Sequence, residues 1–135
     1  MSSSLQKTIV LPGGKDTSVG VYSPGIACGD MVFVSGQGAL DPHTHQIIGE
    51  TVEQQTEQTL RNVQQILAAA GCSLADCVKV TVHLSDIKHF DRFNQTYAKF
   101  FTKPYPVRTT VQSVLHGILV EIDAIAIRGC GKAAV

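Results

Sequence analysis

Alternation of hydrophobic and polar residues marks residues 77–85, CVKVTVHLS, as a half-buried β-strand. One face of this strand would carry Val78, Val80, Val82 and Leu84, and the other would carry Lys79, Thr81 and His83. Further strands are predicted at 7–11, 31–37, 107–114 and 118–128, because these segments are rich in β-branched and apolar residues and lie next to turn-forming residues.

Two segments have the three- and four-residue apolar spacing of amphipathic helices. The first follows Thr51, and its apolar face comprises Val52, Thr56, Leu60, Val63, Leu67 and Ala70. Thr51 and Gln54 match a capping box, and Gly71 supplies the helix stop. The second helix is predicted to begin at Ser85 or Asp86 and to end before the segment KPYPV, since neither proline can continue a helix.

The order of these elements is strands, helix, strand, helix and two strands, without repeats or a linker. This order predicts a single α+β domain over residues 1–135, with one mixed sheet and both helices packed on one face. Two helices on one face leave the other face of the sheet uncovered. We therefore expect a neighbouring subunit to cover it.

Composition narrows the possible partners. The 11 basic and 11 acidic residues cancel and form no basic run, so neither nucleic-acid nor anionic-membrane binding has electrostatic support. There is no apolar run near 18 residues and no secretory or transit signal, so we expect a soluble cytoplasmic protein. The four cysteines are expected to be reduced thiols, and neither they nor the histidines have zinc-site spacing, so no metal is expected.

Two charges interrupt otherwise apolar strands. Arg108 shares a strand face with Thr110, and its guanidinium fork suits a carboxylate, although an arginine near a strand start can also extend into water. Glu121 and Asp123 lie in the apolar segment LVEIDAIAI. Glu121 could form an internal ion pair with Arg108, or it could orient a water molecule and accept its proton.

Three further positions are candidates for a pocket. Asn94 interrupts the apolar stripe of the second helix, which is usually explained by a structural hydrogen bond. The Tyr22 hydroxyl could reach a pocket or cap the core. The segment SGQG, 35–38, would let a ligand approach the backbone closely.

The segments VFVSGQGALDPHT, EQQTEQTLRNVQQILAAAGCSLADCVKVTVHLSDIKHFDRFNQTYAKFF, YPVRTTV and LVEIDAIAI resemble the RidA (YjgF) family over about residues 20–128. The resemblance implies a chorismate-mutase-like fold, assembled as a homotrimer around a central barrel, with sites in the clefts between subunits. It also implies cofactor-free hydrolysis of reactive enamine or imine intermediates, such as 2-iminobutanoate and 2-iminopropanoate, to 2-oxo acids and ammonia.

The resemblance also implies roles for individual residues. Arg108 would bind the substrate carboxylate, and Glu121 would orient the water together with a carbonyl near Gly36. The substrate pocket would further include Tyr22, Ser35, Asn94, Thr109 and Thr110. Thr109 and Thr110 replace smaller or thiol-bearing residues, and the 113–119 linker is shorter than usual, which leaves the substrate open.

Alternative functions are a non-catalytic, chaperone-like trimer that binds carboxylate metabolites, and a divergent enzyme for another imine or biosynthetic intermediate. An endoribonuclease is disfavoured by the neutral charge.

Overall fold

The computed structural model describes residues 5–16 and 19–132. Within them a six-stranded mixed sheet packs against two α-helices, which confirms the predicted fold class. The elements are β1 Thr8–Val10, β2 Gly25–Cys28, β3 Met31–Gln37, α1 Val52–Ala69, β4 Cys77–Leu84, α2 Phe90–Tyr97, β5 Val107–Gln112 and β6 Val120–Ile127. The strand order is β1-β2-β3-β6-β4-β5, in which β4 and β5 are parallel and all other neighbours are antiparallel.

The predicted capping signals set the ends of α1. The Thr51 hydroxyl accepts a hydrogen bond from the Gln54 amide at 3.1 Å, and the Gln54 side-chain oxygen accepts one from the Thr51 amide at 3.3 Å. After the helix, Gly71 adopts a φ of 78°, a left-handed conformation that glycine reaches without steric cost.

The second helix is shorter than predicted. Asp86 caps a 3-10 turn at Ile87–His89, and regular α-helix extends only over α2. The side chain of Asp86 accepts a hydrogen bond from the Lys88 amide at 2.9 Å, which favours the tight first turn. Phe93 from α2 is fully buried and belongs to the hydrophobic core.

The core lies between the helices and one face of the sheet. Its strand residues alternate with half-buried or exposed ones, as the sequence pattern predicts. The main buried apolar side chains are Val32, Val34, Val52, Leu60, Val63, Leu67, Val80, Val82, Leu84, Phe93, Val120 and Ile122.

The opposite face of the sheet, here called the open face, is not covered by any described part of the chain. Apolar side chains lie exposed on it, including Phe33 at 37%, Met31 at 40% and Val107 at 66%. Within the described residues the edge strand β5 also pairs with β4 alone, so one side of its backbone has no strand partner there. A large uncovered apolar surface next to a free strand edge is typical of a subunit interface.

The structure corrects three details of the predicted strands. It adds β2, and it places the ends of the last two strands at Gln112 and Ile127, inside the predicted ends at 114 and 128. In β4, a register shift between Cys77 and Lys79 removes Val78 from the buried face, where Cys77 takes its place. A bulge reverses the alternation locally because it adds a residue to one strand.

No helix among the described residues is long and apolar enough to cross a lipid bilayer.

Candidate active site

Arg108 projects from β5 toward the helices. It pairs in register with Val80, which is buried on the helix-covered face, so both side chains lie on that face. The guanidinium carbon lies 4.6 Å from the ring centre of Tyr97 and 5.6 Å from those of Phe90 and Phe93. These distances allow cation–π attraction, which holds the guanidinium in place. Arg108 forms no ion pair with any described residue, so its charge lacks an anionic partner.

A cavity of about 420 Å³ opens in front of this guanidinium. It is lined by Asn94, Tyr97, Ala98, Tyr105, Pro106 and Arg108. This volume lies within the range of small-molecule pockets. The position of Asn94 therefore favours the pocket assignment over a purely structural one.

Tyr97 contributes a buried hydroxyl to the same cavity. Its oxygen has no hydrogen-bond partner of ordinary geometry among the described residues. Burial raises the pKa of Tyr97 to about 12, although the nearby Arg108 cation opposes the shift. The hydroxyl is therefore neutral and can donate a hydrogen bond to a ligand in the cavity.

The two threonines after Arg108 point in opposite directions. Thr110 shares the face of Arg108, and its buried hydroxyl has no partner in the described part of the chain. Thr109 lies on the open face, where it pairs with Thr81. Of the two, only Thr110 therefore shares the face of Arg108, and it is not among the residues that line the cavity.

Glu121 belongs to a second group of candidate residues. A Cβ atom on Gly36 would lie 2.8 Å from the Glu121 Oε2 atom, so only glycine leaves room for the carboxylate at that position. The pairing of β3 with β6 is irregular between Val34 and Gln37, which brings this part of β3 close to Glu121. The carboxylate makes no hydrogen bond or ion pair with another described residue.

Ser35 and Tyr22 lie beside this second group. The Ser35 hydroxyl donates a short hydrogen bond to the carbonyl oxygen of Ser23, and the Ser35 amide donates one to that of Pro24 at 3.0 Å. These bonds fix the 22–24 segment against β3. Tyr22 is 56% exposed and lines a cavity of about 120 Å³ together with Gly36.

The charged residues of the two groups, Arg108 and Glu121, lie on opposite faces of the sheet. Glu121 pairs with His83 on the open face, whereas Arg108 lies on the helix-covered face. The interpretation of Arg108 and Glu121 as an internal ion pair is therefore wrong for a single chain. Each group is half of a candidate site: Arg108 with Asn94 and Thr110, and Glu121 with Gly36, Ser35 and Tyr22.

Sequence reasoning missed the aromatic surroundings of Arg108. Phe90, Phe93 and Tyr97 have the spacing of the apolar stripe of the second helix, which predicts a place in the core, and Tyr105 has no pattern that predicts a role. The signal that could have identified them is the coincidence of an aromatic stripe with an unpaired arginine on the same face of the sheet.

Cation ligands are not clustered in this structure. No group of three or more histidine, cysteine, aspartate or glutamate side chains among the described residues could hold a metal ion.

Comparisons with known proteins agree with this architecture. The family model described as Endoribonuclease L-PSP matches residues 15–128. A RutC family protein from Saccharolobus solfataricus is 39% identical over 122 residues, which cover 89% of this chain and 97% of the relative. The 2-iminobutanoate/2-iminopropanoate deaminase of Homo sapiens is 33% identical over 129 residues, covering 94% of each chain. The crystal structure of E. coli TdcF with bound serine matches at a TM-score of 0.81 and 36% identity, over 90% of this chain and 99% of TdcF.

The fold and these matches define an α+β protein of the RidA (YjgF) type. The chain belongs to the Endoribonuclease L-PSP family, which includes the RidA proteins, as the sequence resemblance predicted.

Proposed function

We propose that this protein hydrolyses small 2-imino acids of the 2-iminobutanoate and 2-iminopropanoate type to 2-oxo acids and ammonia. The observation that carries the proposal is the Arg108 guanidinium, which has no ion pair within the described residues and which three aromatic rings hold at a cavity large enough for a small acid. The named activity of the human relative supports the same reaction.

The active site is assembled from two copies of the chain. One copy supplies Arg108, Asn94 and Thr110, and its neighbour supplies Glu121, Gly36, Ser35 and Tyr22. The opposite placement of the two groups in one chain supports this arrangement, because neither group alone offers both a carboxylate-binding cation and a base. The uncovered open face supports a homotrimer in which the sheets line a central barrel.

In the assembled site, Arg108 binds the α-carboxylate with two parallel hydrogen bonds. Asn94 and the Tyr97 hydroxyl donate further hydrogen bonds that fix the orientation of the substrate. Glu121 and the backbone carbonyl of Gly36 hold a water molecule against the C=N carbon, and Glu121 accepts a proton as the C–O bond forms. Imines hydrolyse readily, so the required acceleration comes mainly from orientation and moderate acid–base help.

Thr110 borders the carboxylate end of the substrate. Its buried hydroxyl lies on the same face of β5 as Arg108, whereas Thr109 lies on the open face and would meet a substrate only across the interface between copies. We place the activity in the cytoplasm, and it needs no cofactor.

The test is an imine-trapping assay. An amino-acid oxidase generates 2-iminopropanoate, semicarbazide traps it, and an active enzyme suppresses the semicarbazone signal. Wild type should suppress the signal and Arg108→Ala should not. Arg61→Ala is the matched control, because Arg61 also lies over an aromatic ring, Phe100, but its side chain is exposed and paired with Glu57. Wild-type protein without effect on the signal would rule out this substrate class.

A second candidate function is non-catalytic binding of small carboxylates. The cavity in front of Arg108 favours it, and the TdcF structure contains serine. Calorimetric binding of 2-oxo acids without suppression of any semicarbazone signal would support the binder and exclude the enzyme. Ribonuclease activity, which the family description names, has no electrostatic support from a chain with zero net charge.

A further inference from the structure

His83 lies directly opposite Glu121 on the open face of the sheet. The two residues are register partners in the antiparallel pair β4 and β6, and both are half-buried. Side chains in such pairs start about 5 Å apart at their Cβ atoms, within reach of one small molecule. The only histidine in β4 therefore stands beside the carboxylate that the proposed function uses as a base.

The ring of His83 is held in a fixed orientation. Its Nδ1 atom lies 2.7 Å from the Ser113 hydroxyl, and Ser113 is anchored because its amide donates to the carbonyl of Leu84 at 2.9 Å. The other ring nitrogen, Nε2, has no hydrogen-bond partner among the described residues. A histidine with one nitrogen bound and the other unpartnered is arranged like an acid–base residue with its orienting group.

His83 and Glu121 are neighbours without being bonded to each other. No hydrogen bond or ion pair joins them in the described part of the chain. If their role were to stabilise the sheet, a direct ion pair would be the expected arrangement. Both side chains are instead left without a bond to each other, so each can bind a reacting group on the open face.

We propose that His83 is a second proton-transfer residue of the imine hydrolysis, oriented by Ser113 and acting together with Glu121. This inference rests on the proposed function. In the addition step Nε2 of His83 protonates the imine nitrogen, while Glu121 serves the attacking water.

The proton transfers balance over two steps. In the first, the water oxygen bonds to the C=N carbon, Glu121 takes a proton from the water, and the C=N π pair moves to nitrogen, which takes a proton from the His83 imidazolium. In the second, the C–N bond breaks while the oxygen lone pair forms C=O. Protonated Glu121 then gives its proton to the leaving nitrogen, and neutral His83 takes the hydroxyl proton. The products are the 2-oxo acid and ammonia, and both residues return to their starting states.

Other charged groups that face His83 lie on its own strand and on β6. On β4, Lys79 lies on the same face as Thr81 and His83, two residues before Thr81. On β6, Asp123 is the register partner of Thr81. The facing residues of β5, Thr109 and Val111, are uncharged. Glu121 and Asp123 are thus the acidic residues that face this part of β4 from the neighbouring strand.

The test compares His83→Gln and His83→Phe with wild type in the imine-trapping assay, measuring kcat and KM between about pH 5 and pH 8, where histidine side chains change charge. We expect kcat to fall about 100-fold in both variants. The KM should stay within about threefold, because carboxylate binding by Arg108 is untouched. The ionisation that wild type shows in kcat over this pH range should be absent from both variants. Ser113→Ala should lower kcat less, with the same pH profile as wild type.

His43→Gln is the matched control, because His43 lies exposed in the turn after Asp41 and far along the chain from β4. It should keep the wild-type kcat and pH profile. Two His83 variants of different chemistry guard against a failure to fold, which size-exclusion chromatography and circular dichroism would detect. If either folded variant keeps both the wild-type kcat and the wild-type pH profile, the role of His83 is refuted while the proposed function stands. If wild type itself is inactive, the proposed function fails and this inference fails with it.

Discussion

Gly36→Ala is a small change that should selectively disturb Glu121, the carboxylate of the proposed active site. The added methyl carbon would lie 2.8 Å from Oε2, 3.0 Å from Cδ and 3.3 Å from Cγ of Glu121. Ordinary contacts begin at 3.4 Å, so the carboxylate has to move by about 0.6 Å or more. Misplacing a reacting group by about 1 Å can cost about 100-fold in rate. We therefore expect kcat/KM for 2-iminopropanoate to fall about 10- to 100-fold.

The same substitution should leave the fold almost unchanged. Gly36 is exposed and has no left-handed φ, so alanine fits the backbone without strain. The free energy of unfolding should then change by less than about 1 kcal/mol in urea denaturation.

Gly38→Ala is the control for a methyl group in the same segment. Its Cβ would meet the Ile118 Cδ1 atom at 2.5 Å, the flexible end of an apolar side chain, and not the carboxylate. We expect some loss of stability and a smaller loss of activity. If Gly36→Ala keeps the wild-type kcat/KM, the position of Glu121 beside Gly36 is irrelevant to the reaction and the reasoning is refuted.

Three further predictions concern stability and thiol chemistry. Asn62→Leu leaves two carbonyls in the 38–40 turn without the amide donor that binds them at 3.0 and 2.9 Å, so urea denaturation should show a loss. This loss should be about 2–4 kcal/mol, and a change below about 1 kcal/mol would contradict it. The hydrogen bonds from Arg92 lower the pKa of Glu53 to about 2. The ionised Glu53 therefore stabilises the folded protein at pH values above the ordinary pKa of a glutamate, and this stabilisation is lost as the pH falls toward 2. Between about pH 5 and pH 2, Glu53→Gln should thus lose less stability than wild type when unfolding is monitored by circular dichroism. Equal acid sensitivity of the two proteins would argue against the pairing of Glu53 with Arg92. Burial raises the pKa of Cys77 to about 12, so this thiol should react with a disulfide reagent only after unfolding, and rapid labelling of the native protein would contradict its burial.

Much of the fold follows from local patterns in the sequence. Alternation in β4 and β6 and the capping residues of α1 determine these elements locally, so they could be predicted. The strand β2 was missed because GIAC is short, begins with glycine and follows a proline. Its place in the sheet depends on pairing with β1 and β3, which is a tertiary interaction.

The candidate site was predictable in residue type and not in geometry. Alternation shows that Arg108 and Thr110 share a face, but it cannot relate that face to Glu121. That relation depends on the registers of β5 with β4 and of β4 with β6, which bring residues far apart in sequence side by side. For the same reason, the pairing of His83 with Glu121 became visible only in the structure.

The central claim is that Arg108 and Glu121 act in one site but come from different copies of the chain. Arg108→Ala and Glu121→Gln should each be inactive as pure proteins. Equal amounts of the two variants, unfolded in urea and refolded together, would form mixed trimers in which some clefts combine the intact Arg108 of one variant with the intact Glu121 of the other. Random assembly should restore about a quarter of wild-type activity, relative to wild type refolded in the same way. Activity no higher than that of the separate variants would contradict the shared site.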